Sequence, residues 1–141
     1  VVLPEGVKAA VRAELADPWL EVDEDQMLQV LTNLVKNAVE AMPGGGEIEI
    51  ACEDNLDDVR FTVSDTGTGI AEEHLQKIFE PLFTTKDMGK GTGLGLAVTY
   101  GIVKMHKGRL SVESNADPEA GPTGTRFVID LPRNRKGNDD D

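Results

Sequence analysis

With 141 residues, 39% of them hydrophobic, the chain has material for one domain around a single core. Its 26 acidic against 14 basic residues give a formal charge of -12, which repels nucleic acid, and no basic stripe interleaved with aromatics offsets it. The lone Cys52 excludes a disulfide framework and a thiol-based metal site, which points to cytosolic chemistry, and no apolar run approaches the ~20 residues of a membrane span.

The opening VVLPEGVKAA lacks a signal-peptide pattern, and a start without Met reads as a fragment or a processed chain, so any membrane anchor of a parent protein is expected outside it. Val7 to Leu15 alternates loosely and reads as a strand, followed by a turn at Asp17 and Pro18 and a short strand from Leu20 to Val22. Asp23, with Gln26 three residues on, has the pattern of a capping box. The helix it opens runs to about Met42, where Pro43 and the glycines after it end the periodicity. Spacing of about 100° per residue puts Met27, Leu31, Leu34, Val35, Ala38, Val39 and Met42 on one apolar arc. Asn33 and Asn37 fall together on the opposite face, with Asn37 at its edge beside Val30 and Ala41. The bland reading of that pair is a solvated polar face.

Glu47 to Glu53 and Val59 to Ser64 read as two strands joined by the polar turn DNLDD, a hairpin or an adjacent antiparallel pair. Ala71 to Ile78 reads as a short helix, Phe79 to Gly91 as an irregular loop and Leu94 to Met105 as a second long helix. Arg109 to Ser114 and Thr125 to Leu131 supply two more strands. Residues 1–131 thus form the domain, and 132–141, ending in aspartates, form a disordered acidic tail. Trp19 and Tyr100 read as packing residues, and His74 and His106 as structural ones. No metal-binding His spacing and no nucleophile-His-acid set is readable.

Two glycine clusters carry the chemical signal: DTGTGI from Asp65 to Ile70, and FEPLFTTKDMGKGTGLGL from Phe79 to Leu96. Glycine lets backbone N–H groups close on an anionic ligand, so a phosphate-bearing ligand is expected. Gly89, Gly91, Gly93 and Gly95 alternate, which fits neither a Walker A loop nor a Rossmann turn. Asp65 ends a strand just before glycines, where a carboxylate can accept from an exocyclic amine such as that of adenine, or can simply make an Asx turn. Near Gly93 to Gly95 a helix N-terminus offers unpaired N–H groups to phosphate oxygens. The segment before it, with Pro81, Thr84, Thr85, Lys86 and Lys90, reads as a hinged lid anchored by Phe79, Leu82 and Phe83.

In this order the blocks resemble the ATP-binding catalytic domain of sensor histidine kinases, in the wider superfamily of gyrase, the heat-shock chaperones and the MutL proteins. QVLTNLVKNAVEAM looks like the N box, DTGTGI like the G1 box, IFEPLFTTK like the F box and GKGTGLGL like the G2 box. The likeness spans Leu15 to Leu131. It implies a two-layer α+β sandwich of Bergerat type, with a mixed, mostly antiparallel sheet, helices on one face, and ATP between the helices and a mobile lid. By that resemblance Asn37 ligates Mg2+, Asn33 assists the phosphate site, and Asp65 holds the adenine amine. Gly67, Gly69 and Ile70 shape the base pocket, Gly91, Gly93 and Gly95 cradle the phosphates, and Lys86 is a charge partner. Phe79, Thr84, Thr85, Lys90, Thr92, Leu94 and Leu96 complete the implied nucleotide contacts, with Thr125 near the base.

The ATPase branches of the superfamily carry Glu where this chain has Asn33. An amide cannot take a proton from attacking water, which favours phosphoryl transfer to a protein side chain, with Asn33, Asn37 and Lys86 as its catalytic set. Glu40 stands where a Lys or Arg often follows the second Asn, a trait of a subgroup resembling nitrogen-regulation sensors, so phosphate charge falls to Mg2+, Lys86, Lys90 or Lys36. Family kinases phosphorylate a histidine followed by an acid, whereas His74 precedes Leu75 and His106 precedes Lys107. The resemblance therefore implies a histidine-bearing dimerisation domain elsewhere in the polypeptide, a downstream response-regulator receiver domain, a cytoplasmic location and no direct membrane contact. Two rivals are a free-standing serine kinase of the anti-sigma-factor type and a nucleotide-sensing module without turnover.

Overall fold

The computed structural model describes residues 3–15, 20, 22–55, 57–80 and 95–133. In chain order the elements are β1 (Val7–Glu14), α1 (Glu24–Glu40), β2 (Gly46–Asn55), β3 (Asp58–Asp65), α2 (Glu72–Leu75), α3 (Gly95–Met105), β4 (Arg109–Asn115) and β5 (Gly124–Pro132). The strands form one five-stranded sheet in the order β1-β2-β3-β5-β4. Only β1 and β2 run parallel, because α1 lies between them in sequence and returns the chain to the same end of the sheet. The other neighbours are antiparallel, and the helices cover one face, the Bergerat arrangement the motifs imply.

The buried seam of α1 is Met27, Val30, Leu34 and Ala38, spaced i, i+3, i+7, i+11. It packs on Ile48, Val63, Phe127, Ile129 and Leu131 from the sheet and on Ile102 and Val103 from α3. Val30 is fully buried, so the apolar arc is wider than expected on that side. Asn33 and Asn37 flank it, half-buried, rather than standing on an opposite solvated face.

Asp23 caps α1 as expected, its Oδ1 accepting from the Gln26 N–H at 3.0 Å. The reciprocal half of the box comes from elsewhere: the Asp23 N–H is donated to Nε2 of His106 at 3.1 Å, while His106 Nδ1 lies 2.9 Å from the Ile102 carbonyl. That geometry puts the ring proton on Nδ1 and makes His106 a structural residue. Leu20 and Val22 are not in a strand; both pack on the core, and Val22 with Met27 occupies the two positions of a hydrophobic staple around the cap. Helix α1 ends at Glu40, ahead of the expected Met42, with Ala41 as its C-cap. Asp23→Ala is expected to cost about 1 kcal/mol of unfolding free energy, read from urea denaturation midpoints.

The open face of the sheet is polar. Arg60 clamps Asp130 through Nε–Oδ1 at 2.8 Å and a second bond at 3.2 Å, and Arg12 and Arg126 pair with Glu49 and Glu113. At the far end, Pro132 still belongs to β5, and Arg133 is buried, its side chain on Asp54 and its N–H on the Asp57 carbonyl. The fold therefore reaches Arg133, past the expected boundary, because this ion pair fastens the strand end to the β2–β3 turn. Residues 134–141 lie outside the described residues. No helix among the described residues is long and apolar enough to cross a membrane.

Candidate functional site

Asp65 is the last residue of β3, paired with Ile48 on one side and Thr125 on the other. Its Oδ1 accepts two backbone N–H groups, from Gly67 at 2.9 Å and from Thr125 at 3.3 Å. No donor among the described residues reaches Oδ2. Burial pushes the Asp65 carboxyl above the ordinary aspartate range, against the opposing pull of the two N–H bonds. A carboxylate so fixed, with one oxygen satisfied and the other open, is an acceptor prepared for an external donor.

The loop after Asp65 is docked by close approach. A Cβ on Gly67 would lie 2.5 Å from the Ala41 carbonyl oxygen, and the Thr68 N–H donates to that same oxygen at 3.0 Å. Gly69, at φ +78°, would drive a methyl into the Asn115 carbonyl. Ser114 completes the junction: its Oγ accepts from the Ile70 N–H at 2.7 Å, reaches the Gly124 carbonyl at 2.9 Å and lies 2.8 Å from Thr125 Oγ1. Sequence reading did not single out Ser114. Its only signal was its place at the end of a strand opposite Thr125.

On α1, the Asn33 Nδ2 donates to the Gly95 carbonyl at 3.2 Å and approaches Thr99 Oγ1 at 3.4 Å, so the N box touches the last glycine of the G2 box. Phe79 stacks on Tyr100 with ring centroids 5.6 Å apart and meets Phe127 edge-on at 6.4 Å, which anchors this F-box residue to the core. Leu96 packs against the core as well. Thr84, Thr85, Lys86, Lys90, Gly91, Thr92, Gly93 and Leu94 lie outside the described residues. Among the described residues, no cluster of three or more His, Cys, Asp or Glu could hold a metal ion. Asn33 offers an amide oxygen instead: its Oδ1 has no partner among the described residues, where its Nδ2 is engaged. A hard cation accepts such an oxygen when phosphate and water supply the rest of its shell, so Asn33 Oδ1 is compatible in kind with Mg2+ carried in by a nucleotide.

Residues 22–135 match the family described as histidine kinase-, DNA gyrase B-, and HSP90-like ATPase, and the chain belongs to that family. Within it, the domain is homologous to histidine kinase catalytic domains. It is 45% identical over 115 residues to Sporulation kinase A of Bacillus subtilis (strain 168), and 44% identical over 133 residues to Sensor kinase CckA of Brucella abortus (strain 2308). These matches cover 82% and 83% of this chain but only 18% and 14% of those proteins. In structure it is similar to the catalytic domain of histidine kinase ThkA, with a TM-score of 0.72, 36% identity, and 89% of this chain and 79% of that one covered. A mycobacterial sensor histidine kinase, MprB, aligns with a TM-score of 0.75 at 28% identity, covering 91% and 86%.

Proposed function

We propose that this domain binds ATP with Mg2+ and transfers the γ-phosphoryl group to a histidine on a separate dimerisation domain, within a cytoplasmic two-component pathway that passes the phosphate to a receiver domain. The observation that carries the reading is Asp65: half-buried, anchored by two backbone N–H groups on one oxygen and open on the other. The exocyclic amine of adenine supplies the donor that this oxygen lacks. Gly67 and Gly69 bring the chain close enough for a flat base to lie beside it.

When bound, Mg2+ neutralises phosphate charge and holds the phosphate oxygens in place. Asn37 offers an amide oxygen to it, and Lys86 and Lys90, from the lid segment, bring positive charge to the γ-phosphate. As the resemblance implies, Gly91, Gly93 and Gly95 present N–H groups to the phosphate chain. Neither Asn33 nor Asn37 can accept a proton from water, so these residues position a phosphoryl group for a protein acceptor rather than for hydrolysis.

Titration with a non-hydrolysable ATP analogue tests this directly. Binding is expected to strengthen with Mg2+, and Asn37→Ala is expected to remove at least about tenfold of that gain while the melting temperature stays close to wild type. An analogue affinity indifferent to metal and to Asn37→Ala would defeat the site. Adding the parent's dimerisation domain is expected to yield acid-labile phosphohistidine; acid-stable phosphate would point to a serine kinase instead.

A further inference from the structure

We infer that Thr99 is a positioning residue for Asn33, holding its carboxamide so that Asn33 meets the nucleotide site through its oxygen; the functional part of this inference rests on the reading above. Thr99 lies within α3 with 0% exposure, a buried hydroxyl in a helix whose other buried residues, Ile102 and Val103, are apolar. Its Oγ1 donates to the Gly95 carbonyl one turn back at 2.9 Å. With its proton committed there, the hydroxyl faces Asn33 Nδ2 as an acceptor, at 3.4 Å. Gly95 O accepts from the same nitrogen at 3.2 Å. Both acceptors sit on α3 and both take the amide nitrogen, so the flip of the carboxamide is determined by the network rather than left open.

Gly95 O and Thr99 Oγ1 lie only 2.9 Å apart and meet the amide nitrogen from the same side, so the carboxamide turns its oxygen away from α3. Phosphate oxygens are acceptors and repel a carbonyl oxygen, so Asn33 Oδ1 is not the atom that meets the phosphate chain. Its Oδ1 suits a cation or a proton donor, which in a metal–nucleotide complex means the ion or water carried by the ion. Thr99 is thereby tied to the metal-dependent part of binding without touching the ligand. A purely space-filling threonine would lack that tie.

Thr99→Val keeps the shape and removes the hydroxyl, while Thr99→Ser keeps the hydroxyl. Two measurements on the intact domain separate the possibilities. In the apo protein, the side-chain NH2 signals of Asn33 are expected to shift and exchange faster in Thr99→Val and to return toward wild type in Thr99→Ser. In calorimetric titrations with the ATP analogue, Thr99→Val is expected to weaken binding about tenfold with Mg2+ and to leave metal-free binding unchanged, and Thr99→Ser to restore most of the loss. Unaltered Asn33 signals in Thr99→Val, or an equal loss with and without Mg2+, would overturn the assignment. If wild type binds no analogue at all, the proposed function fails, and the apo Asn33 signals still decide whether Thr99 sets the carboxamide.

Discussion

Asp65→Asn is expected to give a domain that folds at least as well as wild type at neutral pH and binds adenine nucleotide about two orders of magnitude more weakly. The asparagine Oδ1 can still accept from the Gly67 and Thr125 N–H groups, so the turn and the register at the end of β3 survive. The other arm becomes an NH2 that faces the adenine amine donor to donor, and the charge that strengthened the bond is gone. The stability side follows from linkage. Burial raises the Asp65 carboxyl above its unfolded value, so its contribution to stability is present below the unfolded pKa and is lost as pH rises through the folded one. At neutral pH the ionised, partly desolvated carboxylate therefore costs the folded state something that an amide does not. Melts of the two proteins are expected to differ most near pH 7 and to converge as pH falls through the carboxylate range. Unchanged nucleotide affinity in Asp65→Asn would remove Asp65 from the site.

Gly69→Ala is expected to cost about 2–4 kcal/mol and to lower the melting temperature by roughly 10 °C. Two effects combine at this position: a left-handed φ of +78°, and a new methyl directed at the Asn115 backbone, which no rotamer change can relieve. Relief would require the loop to move off β4, breaking the Ile70 N–H bond to Ser114 and disturbing the turn after Asp65. Gly101→Ala serves as the contrast. Gly101 lies inside α3, exposed, with open space where its Cβ would stand, so the same substitution there is expected to stabilise by up to about 1 kcal/mol. Differential scanning calorimetry of the two variants checks both signs; a Gly69→Ala protein that melts like wild type would contradict the close approach.

Much of this was legible in the sequence, for reasons that differ by element. The strands β2, β3, β4 and β5 and both long helices fall close to where alternation and helical spacing put them, because each buries one face against the same core. The parallel pairing of β1 with β2 is a tertiary outcome that alternation cannot express. Leu20 and Val22 looked like a strand because apolar alternation over so short a stretch also describes a chain dropping two side chains into a core before a cap. The placement of Asn33 and Asn37 beside the buried seam depended on Val30 being fully buried in the core, which a single-helix projection does not see. The four boxes are legible as sequence, whereas what holds Asn33 and the turn after Asp65 was hidden: Ser114 and Thr99 carry no motif and act through hydrogen bonds to residues far away in sequence. The His106 bond to the Asp23 N–H is of the same kind.

The sheet also sets where other polypeptide can be attached. Val7 pairs with Gly46, two residues from the level of Asp65, so the chain enters the sheet beside the Asp65 end. It leaves at Pro132, level with Asp58, at the other end of β3 and about 24 Å along the strand direction. A fluorophore, surface tether or fused protein placed after Arg133 is therefore joined at the end of the sheet away from Asp65. The same addition ahead of Val7 would press on the Gly6 to Gly46 contact, where the Gly46 N–H meets the Gly6 carbonyl at 3.0 Å. The incoming chain is thus tied in at the Asp65 end of the sheet, while the outgoing chain is fastened at the opposite rim by the Arg133–Asp54 pair.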